Sequence, residues 1–181
     1  MRWGLMMCSE HTACLRPMRE ADLTLVRSWR NHETVRRYMY TQHEISEAEH
    51  RAWFAAASKD QARHLLIMER TGVALGFIHF TQHAPGGIAD WGFYTAPETP
   101  KGTGRILGRL AMEYAFVQMQ LHKLCGQALG YNQRSISFHL RIGFTQEGIL
   151  RDQHFDGRDY HDIYCFGLLA EQWKTMAREV H

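Results

Sequence analysis

The chain is short of cysteine, has almost no excess of either charge and lacks any long apolar run, and each of these lacks narrows what it does. Cys8, Cys14, Cys125 and Cys165 form no Cys-x-x-Cys pair and no dense framework, which argues against a zinc ribbon or a secreted disulfide scaffold and favours a reducing, cytoplasmic setting. A formal charge of +2 over 181 residues gives no reason to expect nucleic acid or an anionic membrane as partner. No segment approaches the roughly twenty apolar residues that span a bilayer. The apolar start Met1–Cys8 turns polar at Ser9-Glu-His11, too soon for a signal-peptide core. Residues 1–13 are therefore expected to be a flexible extension. With 45% hydrophobic residues and no repeat, low-complexity tract or linker, residues 14–181 are expected to form one domain around a single core. Twelve histidines imply sensitivity to mild acid more than they identify a partner.

The most informative stretch is Thr99-Pro-Lys-Gly-Thr-Gly-Arg-Ile-Leu-Gly108. Gly102 and Gly104 allow close backbone approach, and Ile106, Leu107, Leu110, Ala111, Tyr114 and Ala115 recur at helical spacing. The loop thus opens a helix, whose unpaired amides and positive dipole end suit a pyrophosphate, with charge from Lys101 or Arg105. Plain turn and capping chemistry produces the same pattern. The stretch lacks the Gly-x-x-x-x-Gly-Lys-Ser/Thr of a Walker A loop, and it sits mid-chain rather than in a first βα unit of a dinucleotide fold.

Before it, an extended entry at Leu15–Arg19 leads into a helix over Glu20–Asn31 and a helical turn at Glu33–Tyr38. The loop Met39-Tyr-Thr-Gln-His43 carries groups suited to a planar ligand or to ordinary packing. Ser46-Glu-Ala-Glu49 reads as a capping box for a second helix to about Ser58, with His50 and Trp53 on one face. Strands at His64–Glu69 and Ala74–Phe80 flank a Thr71-Gly72 turn, and a third antiparallel strand, Ala89–Tyr94, puts Asp90, Gly92 and Tyr94 on one face and Ala89, Trp91 and Phe93 on the other. A long helix over Gly104–Met119, a strand at Leu124–Leu129, a short helix at Ser135–Ile142 closed by Gly143, two strands around Asp156-Gly157 and a last helix at Glu171–Arg178 complete the chain.

That order resembles the GCN5-related N-acetyltransferase (GNAT) family over about residues 15 to 170. The family's loop is typically Gln/Arg-x-x-Gly-x-Gly/Ala; Gly102-Thr-Gly104 matches it, with Thr99 in place of the first residue. Asn132-x-x-Ser135-x-x-Phe138-His139 followed by Gly143-Phe144 resembles the second signature. The resemblance implies an α/β (α+β) fold with a mixed, mostly antiparallel sheet flanked by helices, and acetyl-CoA as co-substrate with no metal. It further implies cofactor contacts from Phe93, Tyr94 and Thr95 on the strand, Lys101, Gly102, Thr103, Gly104, Arg105 and Ile106 in the loop, and Asn132, Ser135 and Phe138 beyond. Within the family, Arg30-Asn31, Met39–Ser46, Glu49-His50 with Trp53-Phe54, Asp90–Pro97 and Arg151–Gly157 are similar to the enzymes that acetylate UDP-4-amino-4,6-dideoxy sugars in pseudaminic acid biosynthesis for flagellin glycosylation. On that resemblance Arg30, Met39, Tyr40, His50, Trp53 and Tyr94 form the sugar-nucleotide pocket; the final strands of a GNAT fold frequently pair between subunits, so a homodimer is expected.

The implied chemistry is direct attack of an amine on the thioester, with the oxyanion held by strand amides near Phe93–Thr95. His139 stands where many relatives carry a tyrosine and is the candidate acid for the leaving thiolate. Asp90 is the candidate base, acting through a water that Gln127 orients; pairing of this strand carboxylate with an arginine or a backbone donor is an equal alternative. His154, Asp156, His161 and Asp162 are competent metal ligands, but polar pairing across a hairpin explains them more simply. Two rival functions are acetylation of a protein N-terminus, since Leu15-Arg-Pro17 and Trp29-Arg-Asn31 also resemble the ribosomal-protein branch, and a binding protein without turnover.

Overall fold

A computed structural model describes residues 13–83 and 85–179; the expected extension, apart from Ala13, lies outside them. Seven strands form one sheet: β1 (Cys14–Pro17), β2 (Arg63–Arg70), β3 (Val73–Gln82), β4 (Ile88–Thr95), β5 (Lys123–Leu129), β6 (Thr145–Phe155) and β7 (Tyr160–Leu169). Their spatial order is β1-β2-β3-β4-β5-β7-β6. Only β4 and β5 run parallel, because the connection between them is a helical crossover rather than a tight turn. The Thr71-Gly72 turn takes positive φ at both residues, 51° and 76°, the twist that suits a two-residue hairpin.

The helices are α1 (Leu23–Asn31), α2 (Glu33–Arg36), α3 (Glu47–Ala57), α4 (Thr103–Glu113), α5 (Gln133–Arg141) and α6 (Ala170–Glu179). Alternation along the strands sorts them into two layers. Ile78 and Phe80 of β3, Ala89 and Trp91 of β4 and Leu124 of β5 pack with Leu107, Leu110, Ala111, Ile136 and the inner side of α6. Phe77 and Ile67, from the opposite face, pack with Leu23, Val26 and Trp29 of α1 and with Trp53 and Phe54 of α3. No helix among the described residues is long and apolar enough to cross a membrane.

Two local expectations change. The helix expected to Met119 becomes a π-helical turn over Tyr114–Gln118, which closes with Met119 N–H on the Tyr114 carbonyl. At α3, Ser46 accepts from the Glu49 amide, but the Glu49 carboxylate meets His43 Nε2 at 3.0 Å instead of completing the capping box. An imidazole N–H within hydrogen-bond distance of an exposed carboxylate competes with a terminal amide for it.

Candidate active site

β4 and β5 pair only from Ile88↔Lys123 to Asp90↔Cys125. β4 nevertheless stays paired with β3 as far as Thr95, and β5 with β7 as far as Leu129. The sheet therefore splits in the middle, and the backbone groups of β4 beyond Asp90 that face the split have no strand partner among the described residues. Unpaired amides on a rigid strand are suited to hold a carbonyl oxygen as it gains charge.

One side of the split is floored by aromatic rings. Trp91 Nε1–H donates to His139 Nε2 at 3.1 Å, and His139 Nδ1 lies 2.8 Å from the Ser135 carbonyl. A carbonyl only accepts and an indole N–H only donates, so the proton of His139 is on Nδ1. His139 is 2% exposed, stacks on Phe166, and burial pushes its pKa below the ordinary histidine value. A neutral imidazole whose Nε2 already accepts a bond has no proton there to donate, so the expected acid role of His139 does not match its hydrogen bonding. Gly126 makes the pair possible: a methyl carbon there would stand 2.6 Å from both His139 Nε2 and Trp91 Nε1.

At the end of β4, Gly102 caps α4 with φ of 92°, and neither Gly102 nor Gly104 has anything within 4 Å of where a Cβ would stand. The space above the loop is open to a phosphate, with Lys101 and Arg105 exposed beside it. Thr103 is buried and donates to the Pro100 carbonyl, and Ile106 packs against the core; both fix the loop. Asn132 caps α5 by accepting from the Ser135 amide at 3.1 Å. Phe138 packs on Phe93 with ring centroids 5.1 Å apart and holds α5 close over Gly108, where an added Cβ would lie 2.8 Å from its ring.

The opposite face of the split carries Asp90, Gln127, Tyr40 and the groups around Tyr94. Asp90 Oδ2 is bonded to His83 Nε2 at 2.5 Å, which is the pairing alternative with histidine as the partner. Gln127 Oε1 accepts from the Tyr40 hydroxyl at 2.9 Å. Desolvation pushes the Tyr40 pKa up to about 12. His50 and Trp53 stack at 5.1 Å. Trp53 meets Phe77 edge-on at 6.1 Å, and Phe77 packs on Tyr94 at 5.3 Å. Burial, then Arg27 and Arg30, lower the His50 pKa, and burial raises that of Tyr94. Arg30 Nη2 donates to the Thr41 carbonyl at 2.7 Å, while its Nη1 is buried without a hydrogen bond among the described residues. Met39 is half-buried on the same loop. Of the six expected pocket residues, contacts thus join His50, Trp53 and Tyr94, and Arg30 ties its loop down, whereas Tyr40 stands over β5.

Sequence reasoning missed Phe77, His79 and His83. The first two alternate with core residues on β3, a pattern that reads as packing until their strand is placed beside β4. The four residues weighed as metal ligands are engaged in the last hairpin. His161 Nε2 pairs with Asp156 Oδ2 at 2.8 Å, and the Asp159 and Arg158 amides and His161 hold the Asp156 carboxyl well below the usual range. Asp162 accepts from the Asp152 amide, and His154 meets the Tyr40 ring edge-on. No group of three or more potential ligands that could hold a metal occurs among the described residues.

Known proteins match this architecture. Residues 13–145 match the family described as Acetyltransferase (GNAT) domain. The spermidine N(1)-acetyltransferase of Escherichia coli K12 is 26% identical over 169 residues, covering 92% of this chain and 91% of that protein. Acetyltransferase PseH of Campylobacter jejuni is 23% identical over 124 residues, 68% of this chain and 77% of that protein. The crystal structure of Vibrio cholerae spermidine N-acetyltransferase in complex with CoA and spermine superposes with a TM-score of 0.83 at 22% identity, covering 90% of this chain and 98% of the other. With the split sheet, the glycine loop and the matched family in agreement, the chain belongs to the GNAT acetyltransferases: it is an N-acetyltransferase that uses acetyl-CoA.

Proposed function

We propose that the acceptor is the C4 amine of a UDP-linked 4-amino-4,6-dideoxy sugar, UDP-4-amino-4,6-dideoxy-N-acetyl-β-L-altrosamine, in the pseudaminic acid route to glycosylated flagellin. The observation that carries this reading is Arg30. Its guanidinium lies beside Tyr94 and Arg36, with burial lowering its pKa, and keeps Nη1 unpaired. A buried arginine donor without an acceptor costs about 1–3 kcal/mol, which a diphosphate oxygen would recover through a charge-assisted bond. The His50–Trp53 stack supplies a flat surface for uracil. The likeness to PseH supports the same reading.

The stronger overall likeness to spermidine N-acetyltransferases favours a second reading, a polyamine acceptor. A polycation would meet Arg27, Arg30 and Arg36 on this face, with Glu49 as the opposing carboxylate, and the excess of like charge in a half-buried site disfavours it. Direct attack within a ternary complex serves either acceptor, with β4 amides at Phe93–Thr95 holding the oxyanion and Asp90, through a water ordered by Gln127, receiving protons that leave the site. The outer edge of β6 has no strand partner among the described residues, and β6 exposes Ile149, Leu150 and Phe155, which supports pairing of two copies.

The test is CoA release from acetyl-CoA with the UDP-4-amino sugar, spermidine and an N-terminal peptide offered separately. Turnover on the sugar alone is expected, with Arg30→Gln raising its KM about tenfold or more. Preference for spermidine or the peptide would refute the sugar assignment, and CoA binding with no turnover on any amine would mark a binding protein.

A further inference from the structure

With His139 neutral and bonded on both nitrogens, the leaving thiolate needs another source of its proton. His79 has the complementary properties. It projects from β3 on the acceptor face, directly opposite Gly92 of β4, two residues beyond the last β4–β5 pair and so at the mouth of the split. Its Nε2 lies 2.3 Å from where a Cβ on Gly92 would stand, so only glycine there lets the imidazole lie against the β4 backbone. Its ring rests on Phe77 at 6.0 Å. No hydrogen bond is formed by either ring nitrogen among the described residues.

We propose that His79 carries the proton of the transfer, taking it from the attacking amine on Nε2 and giving it to the departing CoA thiolate. The amine nitrogen forms its bond to the acetyl carbon as the carbonyl electrons move onto oxygen. The nitrogen then bears a positive charge and loses a proton to Nε2. Collapse of the oxyanion breaks the carbon–sulfur bond, and the imidazolium protonates sulfur. One proton moves from nitrogen to sulfur, the products are the acetamide and CoA thiol, and His79 returns to its starting state. This rests on acetyl transfer to an amine and not on which amine is used.

The surroundings favour such a carrier. Burial, then Arg63, push the His79 pKa down to about 4, opposed by Asp90; Asp90 is itself bonded to His83. The resting ring is therefore neutral with an unshared lone pair, and its protonated form is acidic enough to give the proton to a thiolate. Asp90 at the rim stabilises the short-lived imidazolium.

His79→Asn and His79→Phe test the proposal by CoA release with the UDP-4-amino sugar. Both should lower kcat by about 100-fold or more, with the KM for acetyl-CoA and the unfolding midpoint little changed, and imidazole added to His79→Ala should restore part of the rate. Retention of kcat within about threefold in either variant would overturn it. In protein carrying 15N-histidine, the His79 Nε2 signal, identified by its loss in His79→Asn, should move when acetyl-CoA is added. An unmoved signal would overturn the proposal whatever the acceptor, while failure of the wild type to use the sugar would refute the substrate assignment alone.

Discussion

A methyl group at Gly126 should damage this protein out of proportion to its size. Gly126 is buried in β5 opposite Phe166, and the added carbon would sit 2.6 Å from both Trp91 Nε1 and His139 Nε2, about 0.9 Å inside an ordinary contact of ~3.5 Å. Neither ring can withdraw easily. Trp91 stacks on Phe144 at 5.1 Å and packs on Phe93 at 4.7 Å. His139 stacks on Phe166 at 4.7 Å and is tied to the Ser135 carbonyl. Parting the rings breaks their bond and strands two buried polar atoms at about 1–3 kcal/mol each, and overpacking adds about 1–3 kcal/mol. Gly126→Ala should therefore destabilise by about 3 kcal/mol or more, which is about 6–12 °C in Tm for a chain of this length. Urea unfolding followed by tryptophan fluorescence reads it. Gly148→Ala is the control, because a Cβ there meets nothing within 4 Å. In the Gly126→Ala background, His139→Ala should cost less than in the wild type, since the clash goes with the ring. A Gly126→Ala loss below about 0.5 kcal/mol, the level of an ordinary surface change, would refute the packing of Trp91, His139 and Gly126 described above.

Acid should destabilise the protein before its carboxylates titrate. The unfolded chain binds a proton at His79 near pH ~6.5, whereas the folded value is about 4, so stability falls as pH drops through that window, by about 3 kcal/mol at most from this residue. His50, His64 and His139, also depressed by burial, act in the same direction. Unfolding free energy measured between pH 7 and 4 should show the decline, and His79→Asn should flatten it; an unchanged slope would show that His79 is not held neutral. Gly102→Ala, at a positive φ, should strain the loop by about 1–2 kcal/mol and raise the KM for acetyl-CoA. Gly104→Ala, in open space at an ordinary φ, should leave stability unchanged or raise it by up to about 1 kcal/mol, and equal losses of stability in the two variants would show that backbone conformation does not govern the loop.

Local signals account for much of the fold. The strands, the Thr71-Gly72 hairpin, the Gly102 cap and the short α5 helix follow from periodicity and turn chemistry acting over a few residues, and the chain order of these elements already resembled the GNAT family. The carboxylate partners were not legible in this way. Glu49 meets His43 rather than its helix amide, and Asp90 pairs with His83 across the β3–β4 turn, because the distances that select among several nearby partners are set only after the chain folds. His139 was visible as a residue in the tyrosine position, but its protonation was not. That depends on Trp91, 48 residues away, and on Ser135 beneath it.

By itself, then, the sequence determined the Gly102 turn that opens α4 and the chain order of strands and helices, since these are encoded in contiguous motifs whose physics is local, and its resemblance to the GNAT family implied the use of acetyl-CoA. The tertiary structure decided which nitrogen of His139 holds the proton, where β4 leaves β5, and that His79 faces the opening unpaired while Arg30 keeps a buried donor free. Those properties arise from desolvation and from contacts between residues far apart in the chain, and no spacing along one segment specifies them.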